Sequence, residues 1–167
     1  MKIRTKKLVL LSTLTACAVI LSYVEMLVPP LFSAVPGIKM GLANIITVFL
    51  LYKFSYKEAF LVALCRILIM TLLFSNALTF IYSISGAVFS ILVMLLLKKI
   101  NCFSTVGVSI AGAVSHNLAQ VIVAALIMKT AEIIYYMVAL TLSGIIAGIA
   151  IGLLGSVFVT YSSKFRI

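Results

Sequence analysis

Six apolar runs, closed off by prolines, basic residues or short polar turns, occupy most of this chain. They leave no room for a separate soluble domain. A helix needs about 20 apolar residues to cross the hydrocarbon core of a bilayer. Residues 8–28, 38–52, 59–74, 78–97, 105–128 and 133–160 predict six such helices, the second of them short and the sixth bent or tilted. Only 10% of the residues are charged, against about 25% in soluble domains. The predicted fold is therefore an all-α integral membrane protein: a compact bundle of six transmembrane helices forming a single domain over residues 1–167. Lys2, Arg4, Lys6 and Lys7 precede the first run in the manner of a signal peptide. No small-x-small cleavage site leads into a polar mature region, so the run reads as a retained first helix.

The formal net charge is +10, from thirteen basic residues against three glutamates (Glu25, Glu58, Glu132), with no aspartate. A nucleic-acid partner would need a solvated basic face. Here the basic residues sit at the ends of apolar runs, which is a membrane-topology pattern. Six crossings with the N-terminus inside collect ten on the inner side: Lys2, Arg4, Lys6, Lys7, Lys53, Lys57, Lys98, Lys99, Lys164 and Arg166. Only Lys39 and Lys129 fall outside. The asymmetry predicts both termini in the cytoplasm and a multi-pass protein of a bacterial-type cell membrane.

Arg66 breaks the third run. A guanidinium stays protonated at physiological pH, and at mid-bilayer it costs several kcal/mol unless water or a partner meets it. It therefore marks a cavity, an ion pair or a ligand. The fifth run carries the other polar cluster, His116-Asn117-Leu118-Ala119-Gln120. His116 and Gln120 are four apart and share a helix face, while Asn117 points about 100° away. Gly112 and Ala113 leave space beside that face. Asn44 is expected about two turns into the second helix, and Lys39 stands near the outer mouth. These depths suit one pocket opening outward, with Tyr82, Ser83 and Ser85 available to line it. Such a set favours an anionic group, a carboxylate or phosphate, gripped by Arg66. The alternative is an Arg66–Glu25 pair, Glu25 being the acid available in the outer half of a span. Asn44 or Asn117 taken alone reads equally as an interhelical hydrogen bond.

Between the first two helices lies Pro29-Pro30-Leu31-Phe32-Ser33-Ala34-Val35-Pro36-Gly37. It stops either helix from continuing, and it reads as a lid over the pocket or as a re-entrant connector. Gly144, Gly148, Gly152 and Ser156 recur every four residues in the sixth run, a close-packing stripe. Weaker stripes pair Ser12 with Ala16 and Ala18 with Ser22 on the first helix, and Ser83, Gly86 and Ser90 on the fourth. The first helix is the best candidate to dock a partner.

Several activities are excluded. There is no P-loop for ATP and no Ser-His-Asp triad, since there is no Asp. Three scattered glutamates fall short of the carboxylates that hold magnesium for diphosphate chemistry. One histidine without a cysteine pair makes no metal site, and Cys17, Cys65 and Cys102 read as reduced structural thiols. No cofactor is implied.

Pro36-Gly-Ile-Lys-Met-Gly-Leu-Ala-Asn44-Ile-Ile-Thr47, with Arg66 and Gly112-Ala-Val-Ser-His116-Asn-Leu-Ala-Gln120, resembles the Gx transporter family, also catalogued as heptaprenyl diphosphate synthase component I. That family is similar to the substrate-binding S components of energy-coupling factor transporters. The resemblance implies a six-helix capture subunit with a lid-like first loop, energised by a coupling membrane protein and separate ATPases. Its substrate would be a small anionic metabolite or vitamin-like precursor. Arg66 would bind the anionic group, with His116, Asn117, Gln120 and Asn44 giving specificity. Two other roles stay open: a non-catalytic membrane partner in prenyl-diphosphate synthesis, and a scaffold subunit of a membrane electron-transfer complex.

Overall fold

The computed structural model describes residues 2–27, 41–129, 133, 135 and 137–164. They form six α-helices: α1 (Lys2–Leu27), α2 (Asn44–Lys53), α3 (Tyr56–Phe74), α4 (Ala77–Ile100), α5 (Thr105–Met128) and α6 (Met137–Lys164). Local chemistry sets most of the boundaries. Ser55, Asn76 and Ser104 cap α3, α4 and α5, each side-chain oxygen accepting from a backbone N–H of the first turn, as residues of this type do at helix starts. Asn101 and Lys129 take the left-handed conformation that ends α4 and α5, at φ 57° and 52°.

Four helices are long and apolar enough to cross a membrane: Thr5–Leu27, Ala77–Ile100, Thr105–Met128 and Met137–Tyr161. The other two depart from that standard for stated reasons. Helix α2 has 10 residues, about 15 Å of helix. Helix α3 carries Lys57, Glu58 and Arg66 within its 19 residues. Both pack on neighbours, which bury Arg66 on α3. Helices α2, α3, α4, α5 and α6 contact one another in a closed ring, and α1 packs outside it, on α3 and more slightly on α2. Val48, Leu51, Ala63, Ile91, Met94, Val108, Ala147 and Ile151 fill one buried core inside the ring.

The glycine stripe of α6 is spent inside the protein. A Cβ on Gly148 would stand 2.6 Å from the Ile110 Cα, and one on Gly152 would stand 2.7 Å from the Val106 Cα. Small residues let two backbones approach where lipid supplies no hydrophobic drive for association. On α1 the two stripes part company: Ala18 and Ser22 are buried, whereas Ser12 and Ala16 are exposed.

Basic side chains gather at one end of the bundle. Lys98 donates to the Leu51 carbonyl in the last turn of α2 and lies 5.0 Å from the Tyr52 ring centroid. A cation there offsets the negative end of the helix dipole. Lys7, near the start of α1, donates to Glu58 at the start of α3. That hydrogen bond holds the Glu58 carboxyl below its ordinary range. The contact contributes fully above the unfolded carboxyl pKa of about 4.3, and is lost as pH falls through the lower folded value. Glu58→Gln should therefore melt earlier than the parent in detergent at neutral pH, with the gap closing in acid. Lys7 is largely solvated, so the gap should stay within about 1 kcal/mol; a gap that persists in acid would assign the effect to packing.

Candidate functional site

Arg66 lies in the middle of α3 and is 8% exposed. Its Nη1 donates to Ser22 Oγ on α1, 3.0 Å away, so one of its five N–H donors is committed to a neutral hydroxyl. Glu25, one turn beyond Ser22 on the same face of α1, lies within electrostatic range of Arg66. It makes a different hydrogen-bonded contact. Its carboxylate accepts from the backbone N–H of Gly41 and from that of Leu42, 3.2 Å away. These two amides lie just before α2, whose first turn closes on Gly41, Leu42 and Ala43 carbonyls. Its N-cap, Ala43, offers no side-chain acceptor, and the Glu25 anion stands near that positive end. Arg66 and Glu25 thus share a neighbourhood, and among the described residues no carboxylate is in ion-pair contact with the guanidinium.

Asn44 opens α2 instead of lying two turns inside it. The cause is local. Gly41 takes φ +83°, a left-handed conformation suited to glycine, and the chain turns there before the helix begins. The same glycine admits two side chains. A Cβ built on it would stand 2.8 Å from Asn44 Nδ2 and 4.0 Å from His116 Cδ2. This brings the start of α2 against the middle of α5.

On α5, His116 and Gln120 bond as their spacing predicts: Gln120 Nε2 lies 3.2 Å from His116 Nε2. The amide donates, so Nε2 accepts and the ring proton belongs on Nδ1. Nδ1 lies against the Gly86 backbone of α4, where a Cβ would come within 2.7–2.9 Å of three ring atoms. Gly86 is therefore the seat of the imidazole. Arg66 is within electrostatic range of the same ring. Asn117 points to α6, where Nδ2 donates to the Leu140 carbonyl at 2.8 Å. That is the interhelical contact its alternative reading describes. On α4, Tyr82 is buried with Val121, Ala124 and Ile133, and Ser85 donates to the Tyr82 carbonyl of its own helix. Lys39 and the proline-rich segment lie outside the described residues.

All five of Asn44, Arg66, His116, Asn117 and Gln120 are buried. Among the described residues Asn44 Nδ2, His116 Nδ1, Asn117 Oδ1 and Gln120 Oε1 have no hydrogen-bond partner. Buried polar atoms are paired in the large majority of cases, so these unpartnered atoms make the cluster the candidate site. Sequence reasoning missed Ser22 and Gly86 as parts of this cluster. Ser22 carries a signal, standing three residues before Glu25 on one helix face. The clue to Gly86 is its membership of the small-residue stripe on α4.

Residues 14–158 match the family described as heptaprenyl diphosphate synthase component I. A solved structure, described as "Structure and mechanism of the S component of a bacterial ECF transporter", superposes with a TM-score of 0.59. It is 19% identical, over 96% of this chain and 95% of that chain. At that identity the likeness is one of fold. No curated protein matches the chain.

Proposed function

The chain belongs to the heptaprenyl diphosphate synthase component I family, and within it we propose a membrane subunit that captures a small anionic metabolite or vitamin-like precursor for uptake. One observation carries this reading. A buried guanidinium shares its neighbourhood with buried amide and imidazole groups whose polar atoms are not all used by the protein. Arg66 binds the anionic group of the substrate. Asn44, His116, Asn117 and Gln120 select what is attached to it, and Lys39 draws the anion to the outer mouth. The S-component likeness in fold supports the same reading. Energy then comes from partners, a coupling membrane protein and ATPases, since this chain has no P-loop of its own.

The topology proposed with it has six crossings and cytoplasmic termini in the cell membrane. Ten basic residues against two support it, as do the lysine contacts that join α1 to α3 and α4 to α2 at one end of the bundle. Helices α2 and α3 cross as members of the ring, α2 packed on α3 and α6 and α3 packed on α1, α2 and α4.

The family's own description favours a second reading, a non-catalytic membrane component of prenyl-diphosphate synthesis. Glu25 is engaged with backbone amides and Glu58 with Lys7, so catalysis would have to come from a separate subunit. Thermal melts of the purified protein against a panel of small carboxylates, phosphates and prenyl diphosphates separate the two. Capture predicts that at least one small anion raises the melting temperature. The synthase reading predicts that none does, and that adding this chain accelerates prenyl transfer by a catalytic partner.

A further inference from the structure

The hydrogen-bonding inventory around Arg66 is asymmetric, and it constrains the ligand beyond its charge. Gln120 is 1% exposed, and its amide N–H donates to His116 Nε2. Its Oε1 is left as a buried acceptor without a protein partner. Asn44 is 6% exposed, and its Nδ2 is a buried donor in the same condition. Gly41 ties the two together: Asn44 Nδ2 and His116 Cδ2 both border the space beside its Cα, and Gln120 bonds the next atom of that imidazole. On the Gly41 side of the His116 ring stand one such donor, Asn44 Nδ2, and one such acceptor, Gln120 Oε1, in electrostatic range of a buried cation, while the ring's own unpartnered Nδ1 is turned to Gly86.

We propose that the site selects an anion carrying a cis-amide edge, that is, a carbonyl and an N–H side by side, as in a lactam, cyclic urea or pyrimidinedione. Arg66 takes the carboxylate or phosphate, Asn44 donates to the ring carbonyl, and Gln120 accepts from the ring N–H. The proposal rests on the capture reading and narrows it. A prenyl diphosphate offers no donor for Gln120 and presents a hydrocarbon chain to two amides. A site built to bond an N–H rejects the analogue lacking it, because its own buried group is then stranded.

Binding to the full-length protein in detergent tests this with matched probes. These are pyrrolidinone- and uracil-alkanoic acids with increasing linker length, their N-methylated twins, the plain alkanoates, and farnesyl diphosphate. At least one N–H acid should bind, and its N-methyl twin should bind about 10- to 100-fold more weakly. In Gln120→Leu that ratio should collapse toward unity, mainly through loss of the N–H compound. The comparison between twins needs no variant, so it stands even if Gln120→Leu fails to fold. Equal binding of the twins, or a preference for the plain alkanoates, overturns the cis-amide assignment while leaving anion capture intact, and a preference for farnesyl diphosphate overturns the assignment in favour of the synthase reading. If no anion of the wider panel stabilises the protein, the capture reading falls and this proposal falls with it.

Discussion

Replacing Arg66 with alanine is expected to abolish ligand-induced stabilisation, and Arg66→Lys to weaken binding by about 10- to 100-fold. The reasoning starts from how little of the guanidinium the protein uses. It is buried in the middle of α3, yet among the described residues its hydrogen bond is to a neutral group, the Ser22 hydroxyl. Glu25, the natural counter-ion, is engaged with the Gly41 and Leu42 amides. A buried cation matched this lightly is costly to the fold. It is readily explained if a second, anionic partner arrives from outside. Lysine keeps the charge and loses the planar fork, so it separates bidentate recognition from simple attraction.

Ser22→Ala provides the contrast. It removes the Arg66 contact to α1 and keeps the guanidinium, so it should lower the melting temperature and preserve the ligand shift. Melting temperatures with and without the best acid of the panel, for all three variants, decide the matter. If Ser22→Ala and Arg66→Ala lose the shift equally, Arg66 is a fastener between α1 and α3. If Arg66→Ala keeps the shift, it has no part in binding.

Elements whose geometry follows from helix periodicity and capping were legible in the sequence. Helix α5 runs from Thr105 to Met128 as its apolar run predicts, and His116 and Gln120 meet because residues four apart share a face. The α6 glycines pack against α5, as a close-packing stripe implies. What escaped depends on backbone atoms or on distant partners. Glu25 was weighed as a side-chain counter-ion, and its hydrogen-bond partners are main-chain amides sixteen and seventeen residues on. Every residue type carries an amide there, so no pattern of side chains announces it. Asn44 was placed by counting from an apolar boundary, whereas the left-handed turn at Gly41 delays the helix. Asn117 reached Leu140 through a carbonyl, again invisible to residue type. The buried polar cluster is thus legible in its side chains and hidden in its main-chain contacts, and its role as a site rests on the proposed function.

A single methyl group on α6 should have the largest effect on folding. At Gly148 a Cβ would lie 2.6 Å from Ile110 Cα, 3.1 Å from Ile110 N and 3.2 Å from the Ser109 carbonyl oxygen. All three are backbone atoms, so no rotamer change on α5 relieves the clash, and the helices must separate. Overpacking of this kind costs about 1–3 kcal/mol. The α5–α6 seam also carries the Asn117–Leu140 bond. Separation therefore weakens the anchoring of the helix that bears His116 and Gln120. Gly148→Ala should lower the melting temperature clearly, and Gly148→Val should prevent recovery of folded protein from detergent. Gly107→Ala is the matched control. The nearest atoms there stand at 3.6 Å or more, in the Ser104 and Phe103 side chains. The same methyl should be neutral there, or stabilising by up to about 1 kcal/mol through reduced backbone entropy of the unfolded chain. Equal melting temperatures for Gly148→Ala and the parent would mean that α5 and α6 do not approach this closely. The stripe would then need another purpose.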